Sequence, residues 1–185
     1  AMQGTVKGPD KFQVDRFLCA HAMMLGMEGI PGLYIHSLLG TSNDYDKVAN
    51  TGQNRSINRK RWDYSELESQ LDSPYSQHHK VLTRLSQLIR IRKAQEAFHP
   101  NATQFTLQLG PSLFGYWRQS LNRRQSIFCI SNVTDEEQSI LLSDLNLIGT
   151  DNWIDLITRD QIEDVLGFVQ LKPYQTVWLS NIDYE

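Results

Sequence analysis

Long hydrophobic runs are missing from this sequence: no stretch of apolar residues reaches the ~18 that a membrane-spanning helix needs. The first ten residues, AMQGTVKGPD, lack the charged-then-apolar order of a secretory leader. Together these absences lead to the expectation of a cytoplasmic protein without a membrane partner. Surplus basic charge is missing too. Eighteen Lys and Arg stand against 21 Asp and Glu, a net charge of −3, so nothing suggests the basic face that nucleic acid requires. Cysteine is scarce: Cys19 and Cys129 lie far apart, form no Cys-x-x-Cys pair, and are expected as free, buried thiols in a reducing compartment.

Several chemical motifs are equally absent. There is no nucleophile elbow, no phosphate-cradling glycine loop and no His-Glu-x-x-His, and the glycines between Gly26 and Gly32 do not fit a dinucleotide fingerprint. His78 and His79 open a helix, but adjacent helical positions diverge by about 100°, so the two cannot share one metal and are expected on the surface. No metal site is expected. Hydrolysis of a glycoside calls for two carboxylates ~5–10 Å apart flanking one bond. Asp44 and Asp46 sit in a polar segment, Asp63 reads as a helix cap, and Glu136 with Glu137 reads as a turn, so the sequence shows no such pair.

What is present falls into two grammars. In KFQVDRFLCAHAMMLGM, residues 11–27, Val14, Phe17, Leu18, Met24 and Leu25 recur at helical spacing, and Gly29, Pro31 and Gly32 stop the helix. LYI at 33–35 then predicts a short strand buried on both faces, as in a parallel sheet. A polar loop is expected over 40–62. Asp63 with Glu66 resembles a capping box, which predicts a helix over 64–71. Between Gln77 and Phe98 one stripe of Val81, Leu82, Leu85, Leu88 and Ile89 predicts a long amphipathic helix, with Arg84, Arg90, Arg92 and Lys93 on its solvated face.

At His99-Pro100 the grammar changes. TQFTLQL, SLFGYWRQ, SIFCISNV, QSILLSD, NWIDLI and FVQLKPYQTVWLS read as strands, separated by turn residues at Gly110-Pro111, Asn122, Asn132, Asp135, 149–152 and Gly167. Their aromatics (Phe114, Tyr116, Trp117, Phe128, Trp153, Tyr174 and Trp178) are expected mainly in a core. The fold class is therefore α/β followed by all-β, with an α/β portion over 1–99 and an antiparallel β-sandwich domain over 100–185. One doubly buried strand with two or three helices cannot cover its own apolar surface. An eight-stranded α/β barrel needs ~250 residues, so the first portion is expected to be the tail of a larger (β/α)8 barrel.

Within the polar loop, TGQNRSINR places Arg55 and Arg59 four residues apart among small polar residues, just past the expected strand. In α/β barrels, functional groups gather on loops at the carboxyl ends of strands. A solvated loop and a sugar- or phosphate-binding site are the two readings of this stretch.

GIPGLYIHSLLGTSNDYDKVANTGQNRSINR, residues 29–59, resembles the sucrose phosphorylase subfamily of glycoside hydrolase family 13, the α-amylase clan. The matching elements are Gly29-Ile30-Pro31, Asn43-Asp44 and the Gly-x-x-Arg-x-Ile-Asn-Arg run from Gly52 to Arg59. Pro173-Tyr174-Gln175 with Trp178-Leu179 match the pattern near the end of the family's β domain. The resemblance implies a C-terminal portion of a retaining α-glucoside phosphorylase or glucosyltransferase, whose three catalytic acids would lie in the N-terminal barrel portion and not in this chain. It implies a small sugar substrate, inorganic phosphate as co-substrate, no other cofactor, and the remaining barrel as the structural partner. Arg55 would help grip the donor glucosyl ring. Arg59, counted with it among the substrate-binding residues, would order the loop or form an ion pair, and His36, Asn43 and Asp44 would face the acceptor side. His36-Ser37-Leu38-Leu39-Gly40 is similar to relatives acting on sucrose 6′-phosphate or glucosylglycerate. A fragment of an α-amylase-type hydrolase and a stand-alone carbohydrate-binding or structural β module are the alternatives.

Overall fold

Local capping and spacing account for most of the helices. The computed structural model describes residues 5, 8–145 and 152–184. It divides into two units, Ala1–Leu18 with Gly32–Gln87 and Cys19–Pro31 with Leu88–Glu185. Helix α1 (Gln13–Gly26) and helix α5 (Gln77–Ala94) match the spacing read above.

In the first unit, α4 (Tyr64–Asp72) begins where Asp63 accepts the Glu66 amide at 3.1 Å, which is the forward half of a capping box. Residues 33–35 are not a strand. Leu33 and Tyr34 carry no regular structure, and Ile35–Leu38 makes a single helical turn, α2. A parallel strand takes its hydrogen bonds from neighbours on either side, and no other strand is found among the described residues of this unit. Tyr34 and Ile35 are exposed. The expected loop over 40–62 is also more ordered than its composition suggests. It contains α3 (Tyr45–Thr51), opened by Asp44 and closed by Gly52 at φ 66°, and a 3-10 turn at Asn54–Asn58. A left-handed residue after the last helical position is where glycine carries least strain.

Among the described residues of the second unit, eight strands replace the six expected segments. They are β1 (Thr103–Leu107), β2 (Leu113–Gln119), β3 (Ser126–Asn132), β4 (Gln138–Leu141), β5 (Trp153–Asp155), β6 (Gln161–Ile162), β7 (Phe168–Leu171) and β8 (Thr176–Ser180). FVQLKPYQTVWLS is two strands, because Lys172–Gln175 turns the chain with Tyr174 at φ 56°. The expected turn at 149–152 lies outside the described residues apart from Asn152. Six strands form an antiparallel sheet in the order β1-β2-β3-β8-β5-β6, and β4 pairs with β7. The helical portion followed by antiparallel sheet is thus as the sequence indicates.

Strand β3 is buried on both faces, which fits its run of Ile127, Phe128, Cys129 and Ile130. On one face Phe128 and Ile130 join Trp153, Val177 and Leu179 with Ile140 and Leu171 of the β4–β7 pair. Phe105, Trp117 and Phe128 stack in sequence at 4.9 and 5.8 Å, and Phe128 meets Trp153 at 5.5 Å.

The opposite face receives the end of α1. Tyr116 donates its hydroxyl to Met23 O at 2.7 Å, and Gly26 passes so close that an added Cβ would lie 2.2 Å from that hydroxyl. Cys19 and Cys129 are both free and buried. Burial raises both thiols from their ordinary range, so neither is poised as a thiolate.

Two arginines sit in the same place. Arg92, expected on a solvated face, is instead buried and donates to the carbonyls of Leu25, Met27 and Gly29. It lies on the apolar stripe, four residues after Leu88 and seven after Leu85, so the helix turns it inward. Arg118 is fully buried and donates to Gly26 O at 2.7 Å, His99 O at 2.9 Å, Ala102 O at 3.3 Å and Thr103 O at 3.4 Å. Burial, reinforced for Arg92 by the neighbouring Arg118 guanidinium, lowers both from the usual arginine range.

Replacing Arg118 by Met strands several buried carbonyls, each costing about 1–3 kcal/mol. Loss of the buried charge offsets part of this. Arg118→Met is therefore expected to lower stability by roughly 3 kcal/mol, read as the shift of a urea midpoint at unchanged slope. Arg118→Lys restores little, since one ammonium cannot span acceptors on both sides of a planar fork.

Asp155 gives a pH prediction. Its carboxylate accepts from the Trp178 and Ile157 amides and from the Thr158 hydroxyl, yet burial outweighs these bonds and raises its pKa. A raised native pKa means that the folded state holds this proton more tightly than the unfolded chain. The associated stability is fully present below the ordinary aspartate pKa and is lost as pH rises through the raised value. The unfolding free energy of the native sequence minus that of Asp155→Asn should therefore fall from acid to neutral pH. A flat difference across that window would contradict the burial effect.

Candidate functional site

The arginine loop is held by short-range bonds of a few residue types. Asp44 accepts the Lys47 amide at 2.9 Å with Oδ1, and its own amide donates to Ile57 O at 2.7 Å. Lys47 reaches back from α3 to donate its ammonium to Arg59 O. Thr51 donates to Lys47 O at 2.6 Å and lies 3.2 Å from the Ser56 hydroxyl, the buried residue of the 3-10 turn. Helix α3 and the turn at Asn54–Asn58 are thereby fixed as one piece.

On that piece the predicted residues are placed as follows. Arg55 is exposed, and its Nε lies 3.4 Å from Gln53 Oε1. Arg59 is exposed and ends the turn, its carbonyl taken by Lys47. Asp44 caps α3, and Asn43, exposed, donates to the Tyr45 hydroxyl at 3.4 Å. His36 belongs to α2, with Nδ1 3.2 Å from the Thr41 hydroxyl and its ring edge-on to Tyr34 at 5.2 Å.

Asn43 and Asp44 share a cavity of about 440 Å³ with Asp46, Lys60, Trp62 and His78; Arg55, Arg59 and His36 are not among its lining residues. Trp62 donates its indole N–H to Thr41 at 3.1 Å and meets His78 edge-on at 5.0 Å. Lys60 lies over the Trp62 ring at 3.7 Å, a favourable position for a cation.

His78, expected on the surface, is buried. Its Nδ1 bonds Leu39 O at 2.7 Å, while Gln77 donates to Gly40 O and the Ser42 hydroxyl. Its position was readable from spacing: 78 precedes Val81 by three residues and Leu85 by seven, on the stripe that faces inward. Gly40 fits there because an added Cβ would lie 3.1 Å from Val81 side-chain atoms, at φ 60°. Trp62, Lys60 and Lys47 carried no pattern in the sequence that separated them from ordinary loop residues.

Among the described residues no three His, Cys, Asp or Glu side chains are placed to hold a metal ion, and no helix is long and apolar enough to cross a membrane.

No protein-family model matches the chain. Curated proteins do. The chain is 35% identical over 170 residues to glucosylglycerate phosphorylase of Allomeiothermus silvanus, covering 92% of this chain and 28% of that protein. It is 33% identical over 172 residues to the glucosylglycerate phosphorylase of Escherichia coli, covering 92% and 29%. Sucrose phosphorylase of Agrobacterium vitis is 38% identical over 85 residues, 46% of this chain and 16% of that enzyme. The chain thus spans less than a third of the length of these curated relatives. Among solved structures, a variant of AmyP in complex with maltotriose superposes with a TM-score of 0.74 at 14% identity, over 95% of this chain and 36% of that one. Trehalose-6-phosphate hydrolase of Bacillus licheniformis does so with a TM-score of 0.69 at 16% identity, over 92% and 39%. At such identities the structures establish the fold alone. Sequence similarity over 92% of the chain establishes descent: this chain is a homologue of one part of the glucosylglycerate and sucrose phosphorylases.

Proposed function

We propose that this chain is the C-terminal portion of a retaining α-glucoside phosphorylase, with the residues up to 99 completing a barrel and residues 100–185 forming its β domain. The observation that carries the reading is the Gly52–Arg59 run, held by Lys47 and Asp44 so that the Arg55 side chain is exposed on an ordered turn. A guanidinium offers five donors in a rigid fork, which suits the hydroxyls of a glucosyl ring or a carboxylate beside it. In this reading Arg55 grips the donor sugar and Arg59 orders the turn through its carbonyl. His36, Asn43 and Asp44 face the acceptor, which is phosphate in the forward direction.

Phosphorolysis conserves atoms simply. A carboxylate of the remaining barrel takes the glucosyl group as a covalent ester, a second acid protonates the departing alcohol, and a phosphate oxygen then displaces the carboxylate at the anomeric carbon. None of these carboxylates is assigned to this chain, so the chain alone is expected to show no turnover. Phosphate is the co-substrate and no other cofactor is invoked. A cytoplasmic location accords with free, buried thiols and with phosphate as the acceptor. The relatives' names include glucosylglycerate, sucrose and glucosylglycerol, and the acceptor lies within that range.

A chimera tests this reading. The chain replaces the matching segment of the Escherichia coli glucosylglycerate phosphorylase, and phosphate-dependent release of glucose 1-phosphate is assayed from glucosylglycerate and sucrose. Turnover is expected from the chimera and not from the 185-residue chain. Arg55→Ala in the chimera should lower kcat/KM by roughly 10–100-fold, the magnitude of lost hydrogen bonds to a charged group. An unchanged value in a folded, active chimera would return Arg55 to a solvated loop. Turnover by the chain alone would overturn the missing-carboxylate reading.

A further inference from the structure

The sulfur atoms of the β-rich unit fall into two environments. Cys19 and Cys129 are 4% and 1% exposed, and burial holds both as thiols, the form that reacts poorly with oxidants. Of the four methionines, Met2 lies outside the described residues, and the other three line one groove. A thioether carries no proton, so access rather than protonation decides whether it is oxidised.

Helix α1 builds one wall of that groove. Ala20, Met23, Met24 and Met27 recur at i, i+3, i+4 and i+7, which places them on one side of the helix. Met27 follows the last helical residue but keeps the period, because its amide still bonds Met23 O at 3.2 Å. The facing wall is the connection from β1 to β2, with Leu113 and Phe114, together with Val133 after β3. It is tied into one piece where the Val133 amide donates to Ser112 O at 3.0 Å. All three methionines are half-buried, and the groove between the walls, about 580 Å³, has room for hydrogen peroxide, a molecule little larger than water.

An oxygen added to sulfur there finds no side-chain donor, since no polar side chain lines the groove. A sulfoxide is a polar acceptor: left in place it costs desolvation, and turned out to water it gives up the apolar contact. The helix cannot slide to make room, because the Tyr116 hydroxyl holds Met23 O at 2.7 Å.

We propose that Met23, Met24 and Met27 form a reversible oxidation site, at which peroxide turns an apolar seam into a polar one and loosens α1 from the sheet. Each thioether sulfur gives an electron pair to one peroxide oxygen, the O–O bond breaks and water leaves, so sulfur is oxidised to sulfoxide and peroxide is reduced. A dithiol reductase of the methionine sulfoxide class reverses the step, releasing water and leaving a disulfide. The site uses no residue of the arginine loop and is independent of the phosphorylase reading.

The test treats the 185-residue chain with hydrogen peroxide, maps oxidised residues by peptide mass spectrometry and follows Tm. Sulfoxide is expected at all three positions before either cysteine is modified. Tm should fall by about 5 °C, the shift of one or two average destabilising substitutions in a chain of this size. Methionine sulfoxide reductases A and B with dithiothreitol should restore it. The triple variant Met23→Leu, Met24→Leu, Met27→Leu keeps volume and apolar character, and should hold its Tm through the same treatment with Met2 still present. Thiol oxidation ahead of the methionines, an unchanged Tm with the sulfoxides in place, or an equal loss in the triple variant would each overturn the proposal. Should that variant not fold, the native sequence decides: a Tm that stays low after the reductases have removed the sulfoxides overturns it as well. None of these outcomes touches the Arg55→Ala measurement in the chimera.

Discussion

The β-rich unit depends on a pair of buried guanidinium groups that have no ion-pair partner among the described residues. Arg92 and Arg118 instead meet main-chain carbonyls, and those carbonyls are the ones a helix cannot satisfy for itself. The last turn of α1 ends at Gly26, so the oxygens of residues 23–26 have no intrahelical donor four residues on, apart from Met23, which takes the Met27 amide. Tyr116 also donates to Met23, Arg92 takes Leu25, and Arg118 takes Gly26. Two cations at the negative end of a helix are electrostatically favourable in the same sense. Each arginine then reaches onward to another segment, Arg92 to Gly29 and Arg118 to His99 and Ala102. One set of donors therefore ends a helix, fixes the chain that leaves it and anchors the entry to β1. An aliphatic side chain could fill the volume but not the acceptors.

A different economy governs the arginine loop. Its bonds span few residues: Asp44 to Lys47, Thr51 to Ser56, and Lys47 back to Arg59. Short-range closure costs little chain entropy, so sixteen residues from Asp44 to Arg59 can order themselves without a large apolar core. The consequence for chemistry is that Lys47 spends its charge on structure and Arg55 does not. Of Lys47 and Arg55, only Arg55 keeps most of its donors unspent, and it lies within the Gly52–Arg59 run.

How far the sequence was readable depended on whether a local pattern sufficed. Asp63 and Glu66 announced α4, and the Val81–Leu85–Leu88 stripe announced α5, because capping and helical period act within a turn or two. The same stripe contained His78 and Arg92. Residue type argued for solvent while spacing argued for the core, and spacing prevailed because the partners (Leu39 O for one, the α1 carbonyls for the other) lie about 40 and 65 residues away. Residues 33–35 fail in the opposite direction. Their apolar run fits a buried strand, but a strand is a property of its neighbours, and here Tyr34 and Ile35 are exposed. Asp44 and Gly52 flanked α3 as ordinary cap residues, hidden by the polar composition between them. Within the site, Asn43 and Asp44 were legible through motif alone. Trp62 and Lys60 enter the cavity only through folding of the chain around Thr41.

Sugar recognition needs either an aromatic platform open to solvent or convergent polar groups, and the two units differ in which they offer. In the β-rich unit, Trp117 and Phe128 are stacked against one another and continue to Phe105 and Trp153, so their faces are already covered. Trp178 is fully buried with Phe98 edge-on against it at 4.8 Å. A ring whose faces are spent in a core cannot receive a sugar without unpacking it, at a cost of the order of a core truncation, about 3–5 kcal/mol. This weighs against a stand-alone carbohydrate-binding module built on the sheet's aromatics. In the first unit, by contrast, the indole of Trp62 shares a cavity with carboxylates, an amide and an imidazole, and the arginine turn presents a guanidinium to solvent. The convergent polar groups therefore lie within residues 36–62 and at His78, whereas Trp117, Phe128, Trp153 and Trp178 of the sheet are engaged in packing.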